Sequence, residues 1–350
     1  MTKVNHWAGI AALASCVFAL LAAGCGNGGV STDADEVMVG LITKTDGNPF
    51  FVAMEEGARQ RAYELDVELR AYTGEHDGDW ESQARAMAEL VEDGADGILL
   101  TPSDPMALRD AVREARQAGT LVIALDTPFE QWDAVDGTFA TDNFRAGELI
   151  GRWARARLEA DGGEANIATL DGYPTPVSVD VLRNQGFLKG YGIDVKDAGK
   201  IGDEDDARIV GRGVTMGTEE GGRRVMEELI GQRPSINLVY AINEPAATGA
   251  YAALVELGLA EDMLIVTIDG GCAGVRRVAA GEFGATVMQY PLEMARLGVE
   301  AVAEHARTGD KPENAPGLDF HDTGAALVTG EPVAGVPSIG VEDGLRECWG

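Results

Sequence analysis

The sequence contains few of the residues on which catalytic and metal sites depend. Only four histidines and four cysteines occur in 350 residues, without a CxxC pair or a histidine–cysteine cluster that would predict zinc. A GxSxG turn and a GxxxxGK(S/T) phosphate loop are absent, and no histidine follows a predicted strand beside a candidate nucleophile. The acidic stretches 75–81 and 203–206 lack calcium-loop spacing and are interpreted as solvated loops. We therefore expect no enzymatic reaction, no cofactor and no metal.

Basic residues are also scarce. Lysine and arginine number 28 against 58 aspartates and glutamates, which gives a formal net charge of −30. Such a charge repels phosphate backbones and anionic lipid headgroups, so we expect no nucleic-acid partner. A soluble, solvated surface is the simplest interpretation of this acidity.

The apolar N-terminal stretch is too short to predict a membrane-spanning helix, and residues 1–24 read as a signal peptide for export. Its end, "LLAAGC", resembles the lipobox of bacterial lipoproteins and predicts a lipid on Cys25. The alternative is cleavage near Ala23 or Gly24 with a free Cys25. The small polar residues that follow predict a lipid-anchored tether over 25–36, so the protein would reach the membrane only through its lipid.

Two cysteines remain once Cys16 leaves with the signal and Cys25 carries lipid. In an exported protein, Cys272 and Cys348 predict one disulfide, which would pin a C-terminal tail, 342–350, to the loop after a strand. Two free buried thiols are the alternative.

Short apolar runs alternate with amphipathic stretches along the rest of the chain, which predicts an α/β fold with parallel sheets covered on both faces. The predicted strands are 37–43, 67–72, 97–101, 120–126, 137–142, 165–171, 236–243, 263–269, 284–289 and 325–329. The predicted helices are 50–65, 80–94, 105–118, 143–160, 178–190, 218–231, 246–258, 273–281 and 291–307. So many strands favour two doubly wound lobes over one sheet.

Several of these strands end on a polar side chain. The residues are Thr101, Asp126, Asp142, Asp171, Asn243, Asp269 and Gln289. Asp142 is best explained as the cap of the following helix. Together the seven residues, spread over two lobes, predict a cleft lined with carboxylates and amides, because the carboxyl ends of strands form the ligand crevice in open α/β sheets. Such groups suit a neutral ligand rich in hydroxyls. The basic candidates at these ends are Lys44 and Arg183.

A set of ordered motifs resembles one family, the type I periplasmic sugar-binding proteins that serve as ribose- and galactose-type receptors of bacterial ABC importers. The motifs are "NPFF", "VIALD", "FATDN", "LRNQGF", "YAINEPAATGA", "VTIDGG" and "MQYP". The resemblance covers roughly Asp35 to Val341. The segments "KIGDEDDARIVG", "DGGC" and "CWG" are most similar to the fructose-binding branch.

The resemblance implies two lobes joined by three hinge strands that close on a monosaccharide. The N-terminal lobe would comprise 37–141 plus about 290–323, and the C-terminal lobe 142–289 plus about 324–341. With the strand-end pattern, the implied ligand-binding residues are Asn48, Phe50, Phe51, Asp126, Thr127, Asp171, Arg183, Asn243, Asp269 and Gln289.

The ribose type has an arginine at each of two positions that are occupied here by Thr127 and Val181. Ribose itself is therefore not the favoured ligand. Arg183 would either compensate or only bind the backbone near its helix. The second-lobe aromatic that covers the sugar in relatives has no clear match, and the candidates are Tyr173, Trp80 and Trp132.

The two adjacent phenylalanines divide by helical position. Asn48 is predicted to cap a helix that begins at Pro49. Phe51 falls on the apolar stripe of that helix, whereas Phe50 is turned about a hundred degrees away and is the favoured stacking residue.

These observations predict a monomeric extracytoplasmic lipoprotein that binds a neutral monosaccharide, a ketose such as fructose, and delivers it to an ABC permease. A sugar sensor or chemoreceptor protein is the alternative. A sugar-responsive regulator would need a DNA-binding segment, and a sugar-modifying enzyme would need a nucleophile–base pair or a phosphate loop.

Overall fold

The computed structural model describes residues 37–160, 162–175 and 177–350. The predicted signal peptide, the tether and the lipidated Cys25 lie outside these ranges. The strands are β1 Met38–Thr43, β2 Glu68–Thr73, β3 Gly97–Leu100, β4 Leu121–Leu125, β5 Gly137–Ala140, β6 Ile167–Asp171, β7 Ile209–Val214, β8 Leu238–Ala241, β9 Leu264–Asp269, β10 Ala285–Met288, β11 His321–Asp322 and β12 Ala326–Thr329. The α-helices are α1 Pro49–Leu65, α2 Trp80–Glu92, α3 Arg109–Ala118, α4 Asn143–Ala160, α5 Ser178–Tyr191, α6 Glu219–Gln232, α7 Glu244–Glu256, α8 Cys272–Ala279, α9 Pro291–Thr308 and α10 Val341–Glu347.

These strands form two six-stranded sheets with equivalent strand order. The strand order is β2-β1-β3-β4-β5-β11 in the first sheet and β7-β6-β8-β9-β10-β12 in the second. Every pair is parallel except β10 with β12, which is antiparallel. The predicted α/β class with two doubly wound lobes is confirmed.

The chain passes between the two sheets three times. It leaves the first sheet after β5, returns from β10 through α9, and crosses again between β11 and β12. Helix α9 packs on α1 and on the strands of the first sheet, whereas α10 packs on α8 and β12 of the second. The crossing segments place both sets of strand ends beside one another.

Apolar clusters cover both faces of each sheet, which explains the continuous apolar runs. All five residues of β4 are buried: Leu121, Ile123 and Leu125 pack on the side of α1 and α9, and Val122 and Ala124 on the side of α2 and α3. Because a parallel strand is buried on both faces, no polar alternation is visible in its sequence.

Two strands and one helix do not appear among the predicted elements. Strand β7 is not among the predicted strands, because Gly211 and Gly213 interrupt its apolar pattern. A Cβ on Gly213 would lie 2.2 Å from Val225 Cγ1, so close packing of α6 requires glycine there. Strand β11 has only two residues, and α10 occupies most of the predicted tail.

The structure joins Cys272 and Cys348 in a disulfide, with the two Cα atoms 4.9 Å apart. Cys272 is the first residue of α8, and Cys348 directly follows α10. The bridge therefore fixes the end of the chain to the turn between β9 and α8. No helix in the described ranges is long and apolar enough to cross a membrane.

Candidate ligand-binding site

A cavity that opens to solvent lies between the carboxyl ends of the two sheets. The empty space in it, together with the solvent at its mouth, is about 460 Å³. Seven of the ten residues predicted to bind ligand line it: Asn48, Phe50, Phe51, Asp126, Arg183, Asn243 and Asp269. The other lining residues are Lys44, Asp77, Gly172, Tyr173, Val179, Asp180, Gly217 and Ile242. Both lobes contribute to this cavity, as expected for a crevice at parallel strand ends.

The aromatic wall belongs to the first turn of α1. The Asn48 side chain accepts a hydrogen bond from Phe50 N at 3.0 Å, and Pro49 is the first helical residue, so the predicted cap is confirmed. The rings of Phe50 and Phe51 are both buried and meet edge to face with centroids 5.5 Å apart. Both rings line the cavity, so Phe51 belongs to the site although it lies on the apolar stripe of α1.

Tyr173 supplies an aromatic ring from the second lobe. Its hydroxyl donates to the carboxylate of Asp77, which belongs to the loop between β2 and α2 of the first lobe. Lys44 Nζ lies 5.9 Å from the ring centroids of both Phe51 and Tyr173. The interpretation of the 75–81 loop as merely solvated is therefore wrong for Asp77, which joins the two lobes.

The other two aromatic candidates lie elsewhere. Trp80 begins α2 and is partly exposed, and Trp132 stacks on Phe320 in the first lobe with centroids 5.3 Å apart. Neither ring lines the cavity.

Arg183 is buried at the centre of the site. Its Nε donates to Asn143 Oδ1 at 2.7 Å, its Nη2 donates to Gln289 Oε1 at 2.7 Å, and its Nη1 donates to the Ile242 carbonyl at 3.2 Å. The proposal that Arg183 serves only the backbone near its own helix is wrong, because all three acceptors lie on other elements. Asn143, the first residue of α4, was not identified from the sequence.

Two carboxylates flank this guanidinium, one from each lobe. Asp126 Oδ1 lies 3.9 Å from Arg183 Nη2, and Asp269 Oδ1 lies 3.7 Å from Arg183 Nη1. Both aspartates have positive φ, 62° for Asp126 and 144° for Asp269, a backbone region that residues other than glycine seldom adopt. Such outliers concentrate at functional sites, where the surrounding structure holds them.

Asn243 performs the capping role that its position before a helix suggests. Its Oδ1 accepts from Ala246 N at 3.0 Å, and its Nδ2 donates to the Gly217 carbonyl at 2.9 Å. The amide is thus oriented at the cavity wall by two backbone groups.

Asp180 is a buried lining residue within α5, one helical turn before Arg183. Its carboxylate accepts from Gly172 N at 2.9 Å and Tyr173 N at 3.0 Å, which shapes the turn after β6. Burial raises the pKa of Asp180, although these backbone donors oppose the shift. The spacing of three residues from Arg183 on one helix face was the available sequence signal.

Three predicted ligand residues do not line the cavity. Thr127 donates its hydroxyl to Asp126 Oδ2 at 2.8 Å, and Gln289 accepts from Arg183. Asp171 accepts from Asn184 Nδ2 at 2.8 Å, and burial raises its pKa to about 7, with Asp180 adding to the shift. Thr127 and Gln289 thus form hydrogen bonds with Asp126 and Arg183, two residues that do line the cavity.

Glu244 is a buried carboxyl beside Asp269 that the sequence did not reveal. Its oxygens accept from Gly270 N at 3.0 Å, Gly271 N at 3.2 Å and Thr286 Oγ1 at 2.8 Å. Its backbone N–H in turn donates to Asp269 Oδ2 at 3.1 Å. Burial, reinforced by the charge of Asp269, raises the pKa of Glu244 to about 8. Burial likewise raises the pKa of Asp269, although Arg183 opposes the shift.

The chemistry of the lining residues is that of hydrogen bonding and stacking. They include carboxylates, amides, one guanidinium, one ammonium and three aromatic rings, and no histidine, cysteine or serine. Across the described ranges, no three acidic, histidine or cysteine side chains are arranged to hold a metal ion. Carboxylates that accept and amides that both donate and accept can satisfy the hydroxyls of a polyol, and aromatic faces can cover its C–H groups.

Comparison with known proteins relates the chain to binding proteins. The family model described as the periplasmic binding protein domain matches residues 39–311. The ribose import binding protein RbsB of Bacillus subtilis is 28% identical over 288 residues, which are 82% of this chain and 88% of the relative. The D-allose-binding periplasmic protein of Escherichia coli is 25% identical over 278 residues, 77% of this chain and 84% of the relative.

Solved structures share the fold. A solute-binding protein from Bacillus halodurans with bound myo-inositol superposes with a TM-score of 0.76 at 21% identity, covering 91% of this chain and 100% of that one. A galactofuranose-binding protein gives a TM-score of 0.74 at 24% identity, covering 89% and 97%.

Proposed function

This chain belongs to the periplasmic binding protein family, and on that premise we propose that it is the exported receptor of an ABC importer. In this proposal it binds a neutral monosaccharide between its lobes and delivers it to the permease as a monomer. Its family consists of binding proteins, so no reaction on the sugar is involved. Ligand contacts from both lobes would favour the closed form that the transporter recognises.

The observation that carries the proposal is the position of Arg183 between Asp126 of one lobe and Asp269 of the other. Each lobe alone presents half of a polar site, and the aromatic wall of Phe50 and Phe51 lies beside it. A ligand that contacts all of these groups must touch both lobes. Its binding energy is therefore available to hold the lobes together.

The charges favour a neutral ligand. Four carboxylates, Asp77, Asp126, Asp180 and Asp269, line the cavity with only two cationic side chains, Lys44 and Arg183. A phosphorylated or carboxylated sugar would add negative charge to this excess in a buried site, which is unfavourable. Hydroxyls carry no such cost.

We propose fructose as the first candidate, because three segments of the sequence are most similar to the fructose-binding branch. Thr127 and Val181 replace the two arginines of the ribose type, which supports a ligand other than ribose. The named relatives bind or import ribose and allose, so these aldoses are the natural competitors for the site.

Isothermal titration calorimetry of the purified protein with fructose, ribose, allose, galactose and myo-inositol tests the proposal. We expect saturable binding of at least one neutral sugar, with fructose the strongest. Fructose 6-phosphate serves as the matched control and should not bind, because its phosphate enters an acidic cavity. Absence of binding by every neutral monosaccharide or polyol would contradict the proposal.

We further propose that Cys25 carries the lipid that anchors the receptor. The supporting observation is the "LLAAGC" sequence that ends the apolar stretch. Metabolic labelling with a radioactive fatty acid should mark the wild-type protein and the Cys16→Ser control but not Cys25→Ser. Equal labelling of Cys25→Ser would refute the anchor.

A further inference from the structure

The end of the chain reaches from the second lobe into the aromatic wall of the first. Helix α10 packs on α8 and β12, so the tail belongs to the second lobe. Two residues after α10, Trp349 is buried in the apolar cluster that holds Phe50 and Phe51. The tail therefore contacts both lobes beside the cavity.

Trp349 contacts the ligand-facing wall directly. Its ring meets Phe50 edge to face, with centroids 5.5 Å apart and planes at 82°. Phe50 meets Phe51 in the same way, so the three rings form a continuous row from the tail to the cavity. The position of the Phe50 ring consequently depends on Trp349.

The same side chain also holds a crossing segment between the lobes. Trp349 Nε1 donates to the Gln289 carbonyl at 2.9 Å, and this bond is buried. The Gln289 side chain accepts from Arg183 at 2.7 Å. One indole thus supports both the aromatic wall and the central guanidinium.

The tail is in turn anchored beside Asp269. The disulfide ties Cys348 to Cys272, and the Trp349 carbonyl accepts from Cys272 N at 2.8 Å. Gly271 forms a parallel bridge with Trp349. These bonds fix the indole relative to the turn that follows Asp269.

We propose that Trp349 is a positioning residue of the ligand site, held in place by the Cys272–Cys348 disulfide. It keeps Phe50 and the Gln289–Arg183 pair in the geometry that the ligand requires. It does not line the cavity described above, but it lines an adjoining space between the lobes that shares Asn48, Asp77, Gly217 and Asp269 with that cavity. The inference rests on the proposed sugar-binding function. According to this inference, the C-terminal tail contributes to sugar affinity as well as to the packing of the fold.

A matched pair of tryptophans separates positioning from ordinary core packing. Trp153 is also buried, and its Nε1 donates to the Glu331 carbonyl at 2.9 Å, but it lies in the core of the second lobe away from the cavity. Trp349→Ala, Trp349→Phe and Trp153→Phe are compared by calorimetric sugar affinity under conditions where each variant is fully folded. Urea unfolding midpoints are measured in parallel.

We expect Trp349→Ala to weaken sugar binding about tenfold or more, and Trp349→Phe to weaken it about threefold because a ring remains against Phe50. Trp153→Phe should lower the urea midpoint and leave affinity within about twofold. Cys348→Ser should weaken binding in the same direction as Trp349→Ala, since it releases the tail. Affinity within about twofold of wild type in both Trp349 variants would overturn the inference.

Amide hydrogen exchange provides a readout that needs no sugar. In Trp349→Ala, exchange should accelerate in segments 43–54 and 286–296, and it should not change there in Trp153→Phe. If the unaltered protein binds none of the sugars, the proposed function fails, and the exchange result alone decides the inference. Unchanged exchange in both segments would then refute the positioning role.

Discussion

Asp126 and Asp269 occupy equivalent places in the two lobes. Asp126 follows β4, Asp269 ends β9, and these strands hold the same position in sheets of identical order. Both residues have positive φ, and each places a carboxylate oxygen within 4 Å of Arg183. The two lobes therefore present similar polar groups to one guanidinium.

The supports behind these two carboxylates differ. Asp269 Oδ2 accepts from Glu244 N, and the Glu244 carboxyl holds the next two backbone amides. Asp126 has only the hydroxyl of Thr127 on Oδ2, and its buried Oδ1 has no hydrogen-bond partner in the described structure. A buried acceptor without a partner is costly, so Asp126 is the side of the site that a ligand would complete. Asp269 is already held within its own lobe.

Replacing the shared arginine should have the largest effect. Arg183→Met removes the cation between two buried carboxylates and should weaken sugar binding roughly a hundredfold or more. It should also lower the free energy of unfolding by about 3 kcal/mol. Calorimetry and urea denaturation measure the two effects.

Arg116→Met is the control for this prediction, because Arg116 also pairs with a buried carboxylate, Asp136 at 3.0 Å, outside the cavity. It should reduce stability and leave affinity unchanged. If Arg183→Met bound sugar with wild-type affinity, Arg183 would not contribute to ligand binding between the lobes.

Exchanging each aspartate for asparagine tests the asymmetry itself. Asp126→Asn should weaken binding about tenfold or more with little change in the unfolding midpoint, because its Oδ1 has no hydrogen-bond partner among the described residues and is available to accept one from a ligand. Asp269→Asn should change the midpoint more, since it alters a carboxylate that is already part of the Glu244 network. Identical changes in affinity and midpoint for both variants would show that the two sides are equivalent.

The smallest effect concerns the pH dependence of stability. The folded protein keeps the proton of Glu244 up to a pKa of about 8, against an ordinary value of 4.5. Between these values the folded chain binds more protons than the unfolded chain. Stability therefore falls as the pH rises through this window, and the contribution is complete only below about pH 4.5.

Glu244→Gln should flatten this decline, because an amide does not titrate. Some slope should remain, since burial also raises the pKa values of Asp171 and Asp269 to about 7. Unfolding temperatures from about pH 5 to about pH 8 measure the slope, with the exposed Glu261→Gln as control. Equal slopes in wild type and Glu244→Gln would contradict the expectation that the Glu244 carboxyl beside Asp269 keeps its proton in the folded protein.

Much of the fold and part of the site could be predicted from short stretches of sequence. The apolar run of β4 and the Asn48–Pro49 helix start depend on residues within a few positions of one another, and both predictions are confirmed. Asp77 could not be identified, because its partner Tyr173 lies 96 residues away and its own surroundings are polar. Strand β7 was missed because glycine replaces its apolar side chains where α6 packs.

The amino-acid sequence alone predicted ten of the twelve strands and nine of the ten α-helices of the described ranges, the strand ends that carry polar residues, and the family to which the chain belongs. These properties follow from local periodicity and motif order. The three-dimensional structure was needed to show which strand-end groups line the cavity, as Asp126 and Asp269 do, and which contact the lining residues instead, as Thr127 and Gln289 do. Only it placed Trp349 against Phe50. The Gln289–Arg183 and Trp349–Phe50 contacts join residues that are far apart in the sequence. The local pattern of apolar and polar residues predicts strands and helices, but it does not predict which distant segments come into contact.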